Sequence, residues 1–248
     1  ARVTKPGRIT AVHCTDIIDS RTGHMWDFPH EIVQIHERHG FRYRNRITIW
    51  KEPLKVRMRT MVRSLMHKLI VEDSTECFTA MPDYVLVFKK AGENAVPVTH
   101  PAGLDYYPGD TPFLPAHIET YGDYKTFKKK WGDFDGPPAE NKLSHLTWQR
   151  IASSVWDDIR IDEVLPFRDS KDEDDEKHVH PLQLDVVDRC VMLWSNPGEV
   201  VLTPFAGVGS EAFSPVSMGR KAIAIELKES YYRQMVENMK AAKTRFKK

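Results

Sequence analysis

Val200-Val201-Leu202-Thr203-Pro204-Phe205-Ala206-Gly207-Val208-Gly209-Ser210, residues 200–210, is the stretch whose reading decides the fold. The apolar run at its start predicts a buried strand, and Gly207 and Gly209 permit the positive φ of a tight turn into a helix. Ala222 to Ile225 predicts the next strand. Strand, glycine turn, helix, strand is a βαβ unit, which implies a parallel sheet with a ligand outside the carboxyl end of the first strand. Glu226 ends the second strand about twenty positions after the glycines, where a carboxylate can accept hydrogen bonds from two ribose hydroxyls. A GxG turn alone does not separate a dinucleotide from another adenosyl ligand. An ordinary βαβ core with a surface glutamate stays open as the plainer reading.

Working upstream, Pro181 to Trp194 predicts a helix. Arg8 to Cys14 alternates into a strand, Phe28-Pro29 opens a helix closed by Gly40, and Ile47 to Trp50 makes a second strand stopped by Pro53. Residues 54–72 predict one basic amphipathic helix, with Leu54, Met58, Met61, Leu65 and Leu69 on one side. Tyr84 to Phe88 predicts a third strand. Residues 92–150 are crowded with Gly, Pro and aromatic side chains, which suggests a loop-rich insertion. The acidic run Asp169 to Glu176 suggests a solvated linker, with a carboxylate metal site as the lesser alternative.

A chain of 248 residues with 41% hydrophobic content can bury a real core, so one α/β domain with an insertion is expected rather than disorder. No stretch is apolar enough to span a bilayer, and Ala1 to Lys5 lack the apolar core of a signal peptide, so a soluble intracellular protein without membrane contact is expected. Cys14, Cys77 and Cys190 are never in CxxC spacing and read as reduced core thiols. His13, His67, His145 and His178 have no ligand spacing, and no metal is expected. Residues 1–70 hold 14 Lys and Arg against six Asp and Glu, a net +8 that leaves −7 for the rest of a chain of total charge +1. That basic stretch attracts polyanions, although a solvated helix face gives the same count.

The order of several motifs resembles the DNA N6-adenine and N4-cytosine amino-methyltransferases, especially their phage and mobile-element branch. They are His180-Pro181-Leu182-Gln183-Leu184, then Trp194 to Leu202, then the PFAGVGS turn, Gly219-Arg220-Lys221, Ile225-Glu226-Leu227 and Tyr231. VTKPGRITAVHC, FRYRNRITIWKEP and MPDYVLVFKKAGENAVPVTH resemble the family's middle strands and edge hairpin. The resemblance implies a Rossmann-like, mostly parallel sheet that binds S-adenosylmethionine, and a protein of the cytoplasm of a bacterial or phage-infected cell, in a restriction-modification or related setting. It implies that Phe205, Ala206, Gly207, Gly209 and Ser210 surround the donor's methionine and adenosine, with Glu226 on the ribose and Leu227 also among the donor-binding residues. His180, Pro181, Leu182 and Gln183 would cover the methionine end, with Trp156, Asp157 and Asp158 close by. Three segments are expected: 1–98 as the catalytic-side half of the sheet, 99–155 as an inserted target-recognition segment, and 156–248 as the donor-binding half.

Family members of this circular order carry an (Asp/Asn/Ser)-Pro-Pro-(Tyr/Phe/Trp) tetrapeptide that receives the target amine, and no such tetrapeptide occurs in residues 1–248. Pro137-Pro138, flanked by Gly136 and Ala139, offers neither an acceptor side chain nor a ring. No catalytic residue is therefore assigned. The family's strand order, 3-2-1-4-5-7-6, has a central strand with no counterpart here, so upstream residues or a second chain are expected to complete the sheet; a homodimer is also compatible. Position 203 is Thr where the family usually has Asp, and Pro215 is expected to kink the helix after the glycine turn. Arg57, Arg59, Arg63, Lys68, Lys125, Lys128, Lys129 and Lys130 form the candidate surface for double-stranded DNA, with Tyr121, Tyr124, Phe127 and Trp131 interleaved as stacking faces. The expected reaction is methyl transfer to the exocyclic amine of a flipped base, adenine before cytosine. A catalytically incomplete DNA- or donor-binding subunit and an RNA methyltransferase are the alternatives.

Overall fold

Alternating side chains in Ile9–Cys14 build strand β1, and the continuous apolar run within Asp83–Lys90 builds β5, whose Val85, Leu86, Val87 and Phe88 are all buried. A strand buried on both faces belongs in the middle of a sheet. The computed structural model describes residues 2–19, 24–110, 124–132, 135–170, 180–243 and 245. They divide into two compact units, Ala1–Val96 with Ala152–Asp157, and Pro97–Ile151 with Asp158–Lys248.

In the first unit the sheet order is β1-β5-β4-β6, where β4 is Phe41–Ile49 and β6 is Val155–Trp156. β5 runs antiparallel to both β1 and β4, and β6 runs parallel to β4. A two-residue pair, β2 (Ile17–Ile18) with β3 (Met25–Trp26), stands apart. The expectation of a mostly parallel sheet is thus corrected to a mixed one. The reason is topological: β1, helix α1 (Phe28–Arg38) and β4 form a crossover with its two strands parallel, and β5 slots between them in the opposite direction. Periodicity reports that a segment is a strand and carries no direction.

Helix α1 starts where expected because the Asp27 carboxylate accepts from the His30 amide at 3.0 Å and Pro29 suits the first turn. Its Phe28, Ile32 and Val33 pack on Cys14, Phe41, Leu86 and Phe88. His36 stacks on Phe88 with ring centroids 4.0 Å apart, a structural use of a histidine. His13 lies 3.4 Å from Asp83, which also takes Lys51 at 2.6 Å.

The helix expected over 54–72 is broken. Helix α2 covers Pro53–Thr60, Met61 turns left-handed at φ 55°, a 3-10 turn covers Arg63–Leu65, and α3 covers Leu69–Glu72. Most helical stability comes from burying an apolar face. Here Leu54, Met58 and Met61 are exposed and only Leu69 is buried, so no packing holds a long helix together.

The second unit contains order that the segment 92–150 did not advertise. Helices α4 (Tyr124–Trp131) and α5 (Lys142–Ile151) pack through Phe127, Leu143 and Leu146, with Trp131 against them. Helix α6 covers Leu184–Trp194, three residues shorter than expected, because Gln183 stays extended and the Leu184 amide donates to the Glu163 carbonyl at 2.8 Å. Strands β7 (Val200–Thr203) and β8 (Lys221–Ala224) pair in parallel around helix α7 (Ser210–Ser217), and α8 (Glu229–Ala242) follows. The predicted βαβ unit is present, with Pro215 inside α7. Leu165, Leu184, Val208, Phe213 and Ala242 form the core of this unit. β7 is not buried on both faces as its apolar run suggested: Val200, Leu202, Ile223 and Ile225 are exposed on the face opposite α7. Cys77 is half-exposed rather than a core thiol, while burial pushes the Cys14 thiol up to about 11. Among the described residues no helix is long and apolar enough to cross a membrane.

Candidate functional site

The glycine turn sits where β7 ends, and its shape follows from backbone pins at each step. The Phe205 amide donates to Thr203 Oγ1 at 3.3 Å, so Thr203 is committed to its own turn. The Ala206 amide donates to the Ile225 carbonyl at 2.9 Å, and the Gly207 amide to Glu226 Oε2 at 2.8 Å. The Gly209 amide closes back on the Ala206 carbonyl at 2.8 Å. Gly207 has φ 52° and Gly209 φ 101°, values that disfavour any side chain.

The two glycines differ in their surroundings. A Cβ on Gly209 would lie 2.7 Å from Met235 Cγ of α8, so that glycine allows close helix packing. A Cβ on Gly207 would meet nothing within 4 Å, so the turn has open space above it. Phe205, 84% exposed, and Leu227, 97% exposed, are large apolar side chains in the two segments that hold the turn and Glu226. The second oxygen of Glu226 accepts from the Lys228 amide at 2.8 Å, leaving further lone pairs on both oxygens. Ser210 Oγ, at the start of α7, is buried and has no hydrogen-bond partner among the described residues. Open backbone, apolar walls, a carboxylate and an orphaned hydroxyl fit an adenosyl amino-acid ligand.

Of the His180–Gln183 segment, His180 is linked to the turn through the core, and Pro181, Leu182 and Gln183 are half-buried between it and α6. His180 meets Phe167 edge-on at 5.2 Å, Phe167 packs on the cluster that contains both Leu184 and Val208, and Gln183 stands at the N-cap position of α6 without a side-chain hydrogen bond to the helix. Trp156 is fully buried in the first unit, where its carbonyl accepts from the Trp50 amide at 2.9 Å. Asp158 is enclosed in the second unit. Arg189 Nη2 reaches it at 2.8 Å and Arg150 at 3.5 Å, and the Tyr107 hydroxyl bonds to it. Burial alone would raise the Asp158 carboxyl, but Arg189 above all, then Tyr107 and Arg150, hold it below the ordinary carboxylate value.

Sequence reasoning missed the polar inner face of α6. Asp185, Asp188 and Arg189 are all fully buried: Asp185 takes Arg160 at 2.6 Å, and Asp188 takes Arg245 at 2.8 Å and the Tyr106 hydroxyl at 3.1 Å. Asn238 was missed too. Its signal was present, since it falls on the apolar stripe of α8 with Tyr231, Met235, Met239 and Ala242.

On α4, Lys125, Lys128, Lys129 and Lys130 are exposed, whereas Phe127 is fully buried and so is not a stacking face. In the first unit Arg63 and Lys68 are exposed, and Arg57 is half-buried with its guanidinium 3.2 Å from Met61 Sδ. The Arg59 side chain, Tyr121, the Tyr124 side chain, His178 and most of the acidic run lie outside the described residues.

A glycine turn between parallel strands, closed by an acid at the end of the second, defines a Rossmann-like α/β protein of the kind that binds an adenosyl ligand outside its strand ends. The chain belongs to the N6/N4 DNA methylase family, whose model matches residues 1–237. The DNA adenine methyltransferase YhdJ of Escherichia coli (strain K12) is 30% identical over 96 residues, which is 38% of this chain and 30% of that protein. The match therefore spans less than a third of that relative's length. TTHA0409 of Thermus thermophilus superposes with a TM-score of 0.60 at 18% identity, over 98% of this chain and 73% of that one. Its complex with S-adenosyl-L-methionine gives 0.59 at 18%, over 99% and 74%. At that identity the likeness is one of fold.

Proposed function

We propose that the protein transfers a methyl group from S-adenosylmethionine to the exocyclic amine of a flipped base in double-stranded DNA, adenine N6 in preference to cytosine N4. The observation that carries this reading is the Thr203–Ser210 turn, open above Gly207 and closed by Glu226. Family membership supplies the reaction class, and YhdJ, an adenine methyltransferase by name, favours adenine. Bound at the turn, the donor supplies an electrophilic sulfonium methyl. Glu226 accepts from the ribose hydroxyls, Phe205 and Leu227 flank the adenine, and Ala206, Gly207 and Gly209 let the backbone approach. Ser210 Oγ and the His180–Gln183 segment serve the methionine end. Asp158, its carboxylate committed to Arg189, Arg150 and Tyr107, works by holding its segment in place. Holding the donor in one orientation is the protein's contribution to rate, since placement alone converts a bimolecular step into a unimolecular one.

The absence of the acceptor tetrapeptide from residues 1–248 favours a second reading, in which this chain is a donor- and DNA-binding part and the tetrapeptide comes from polypeptide outside those residues or from a partner chain. The exposed apolar face of β7 and β8 is consistent with that. Mixing the purified chain with radiolabelled donor and unmethylated DNA separates the two. Label in N6-methyladenine from this chain alone supports the first; donor uptake without transfer supports the second. Absence of any donor uptake overturns both.

We place phosphate contacts on Lys125, Lys128, Lys129 and Lys130, with Arg57, Arg59 and Arg63 as the second basic group. Each neutralised phosphate contributes about 0.9 to the slope of log affinity against log salt. Changing the four lysines to glutamine is expected to lower that slope by roughly 2 to 4. Fluorescence anisotropy over a salt series reads it, and an unchanged slope removes α4 from the interface.

A further inference from the structure

The glycine turn of the proposed donor site and the Pro166-Phe167 stretch, whose Phe167 meets the His180 ring, share one buried anchor. Asn238 of α8 is 6% exposed and makes three hydrogen bonds. Its Nδ2 donates to the Val208 carbonyl at 2.9 Å and to the Pro166 carbonyl at 3.1 Å, and its Oδ1 accepts from Gln234 Nε2 at 3.1 Å. The amide orientation is dictated by chemistry: two carbonyls can be served only by the NH2 group. Val208 lies between the two glycines, and Pro166 precedes Phe167, which supports the His180 ring.

We propose that Asn238 is a positioning residue for the donor-binding turn, an inference that rests on the donor-site reading above. Glycines at positive φ have cheap alternative conformations, so the turn keeps one shape only if its carbonyls and amides are pinned from outside. The Val208–Gly209 peptide is pinned at both ends, its carbonyl by Asn238 and its amide by Ala206. The Gly207 amide is held by Glu226 on the ligand side, whereas Asn238 acts from beneath. Removing the Asn238 amide leaves a buried carbonyl unpaired and frees that peptide plane to rotate, so the ligand must reorder the turn as it binds.

The test compares Asn238→Asp and Asn238→Ser with Met239→Ala in the full-length protein. Asp keeps the shape but sets carboxylate oxygens against two carbonyls; Ser removes both donors with little strain; Met239 packs on the same core but touches neither carbonyl through a hydrogen bond. Affinity for S-adenosylhomocysteine by calorimetry is expected to fall about tenfold in both Asn238 variants. Met239→Ala, with a similar loss of Tm, is expected to stay within about twofold. Amide resonances of 15N-glycine are expected to move at Gly207 and Gly209 and to stay fixed at Gly7 and Gly40. Equal loss of affinity in Met239→Ala at equal loss of Tm overturns the proposal, as does unchanged binding in Asn238→Ser. If the unmutated protein takes up no donor product, the donor-site reading is what fails. The glycine resonances then still decide: unmoved Gly207 and Gly209 signals in Asn238→Ser refute the pinning itself.

Discussion

Replacing Glu226 with alanine is expected to weaken S-adenosylmethionine binding by about 100-fold. A carboxylate offers about four acceptor sites. The Gly207 and Lys228 amides occupy one on each oxygen, and the remaining two are available to ribose hydroxyls. A hydrogen bond to a charged group is worth about 1.5–3 kcal/mol, so losing two costs at least about 3 kcal/mol, which is the stated factor. Glutamine keeps the shape and one acceptor oxygen, and about a tenfold loss is expected for Glu226→Gln. The alanine variant also frees the Gly207 amide, so affinity alone does not isolate the ribose contact. A 2′-deoxy analogue of S-adenosylhomocysteine does: the unmutated protein should prefer the ribose form, and Glu226→Ala should lose that preference. A variant that still discriminates the two sugars would show that another group reads the ribose.

The fold was legible where one local rule dominates. An apolar run before glycines marked β7 and its turn, Asp27 with Pro29 marked the start of α1, and the acid at 226 fell beside the turn because a parallel βαβ unit brings strand ends together. Legibility failed where tertiary context decides. Nothing in Tyr84 to Phe88 states that the strand runs antiparallel between β1 and β4. The apolar spacing of 54–72 is helical, yet without a surface to bury against the chain breaks at Met61. Of the interleaved aromatics on α4, Phe127 was half of a core contact whose other half, Leu143 and Leu146, lies a helix away. Buried charges on α6 were the least legible, because Asp185, Asp188 and Arg189 look like a solvated helix face until Arg160, Arg245 and Asp158 are brought to them.

The second large effect concerns those charges. Asp158→Asn is expected to destabilise the protein by about 3 kcal/mol at neutral pH, because breaking a buried ion pair from one side leaves the other charge enclosed. Arg189 is 0% exposed, so water cannot replace the lost carboxylate. The pH dependence has a defined sign. The Asp158 carboxyl is held below its unfolded value, so its contribution is present above that value, about 3.9, and is lost as pH falls through the lower folded one. The gap between Asp158→Asn and the unmutated protein should therefore narrow below about pH 4, as urea midpoints across a pH series would show. Replacing both partners, Asp158→Leu with Arg189→Met, should cost less than either single change, since no fully buried charge is left without its partner and the Arg150 side chain, 26% exposed, keeps its access to water. Donor affinity measured while Asp158→Asn is still folded decides what the carboxylate is for. A change within about threefold, under about 1 kcal/mol, fits a carboxylate spent on Arg189, Arg150 and Tyr107. A loss as large as that of Glu226→Ala would mean that Asp158 leaves those partners to hold the donor itself.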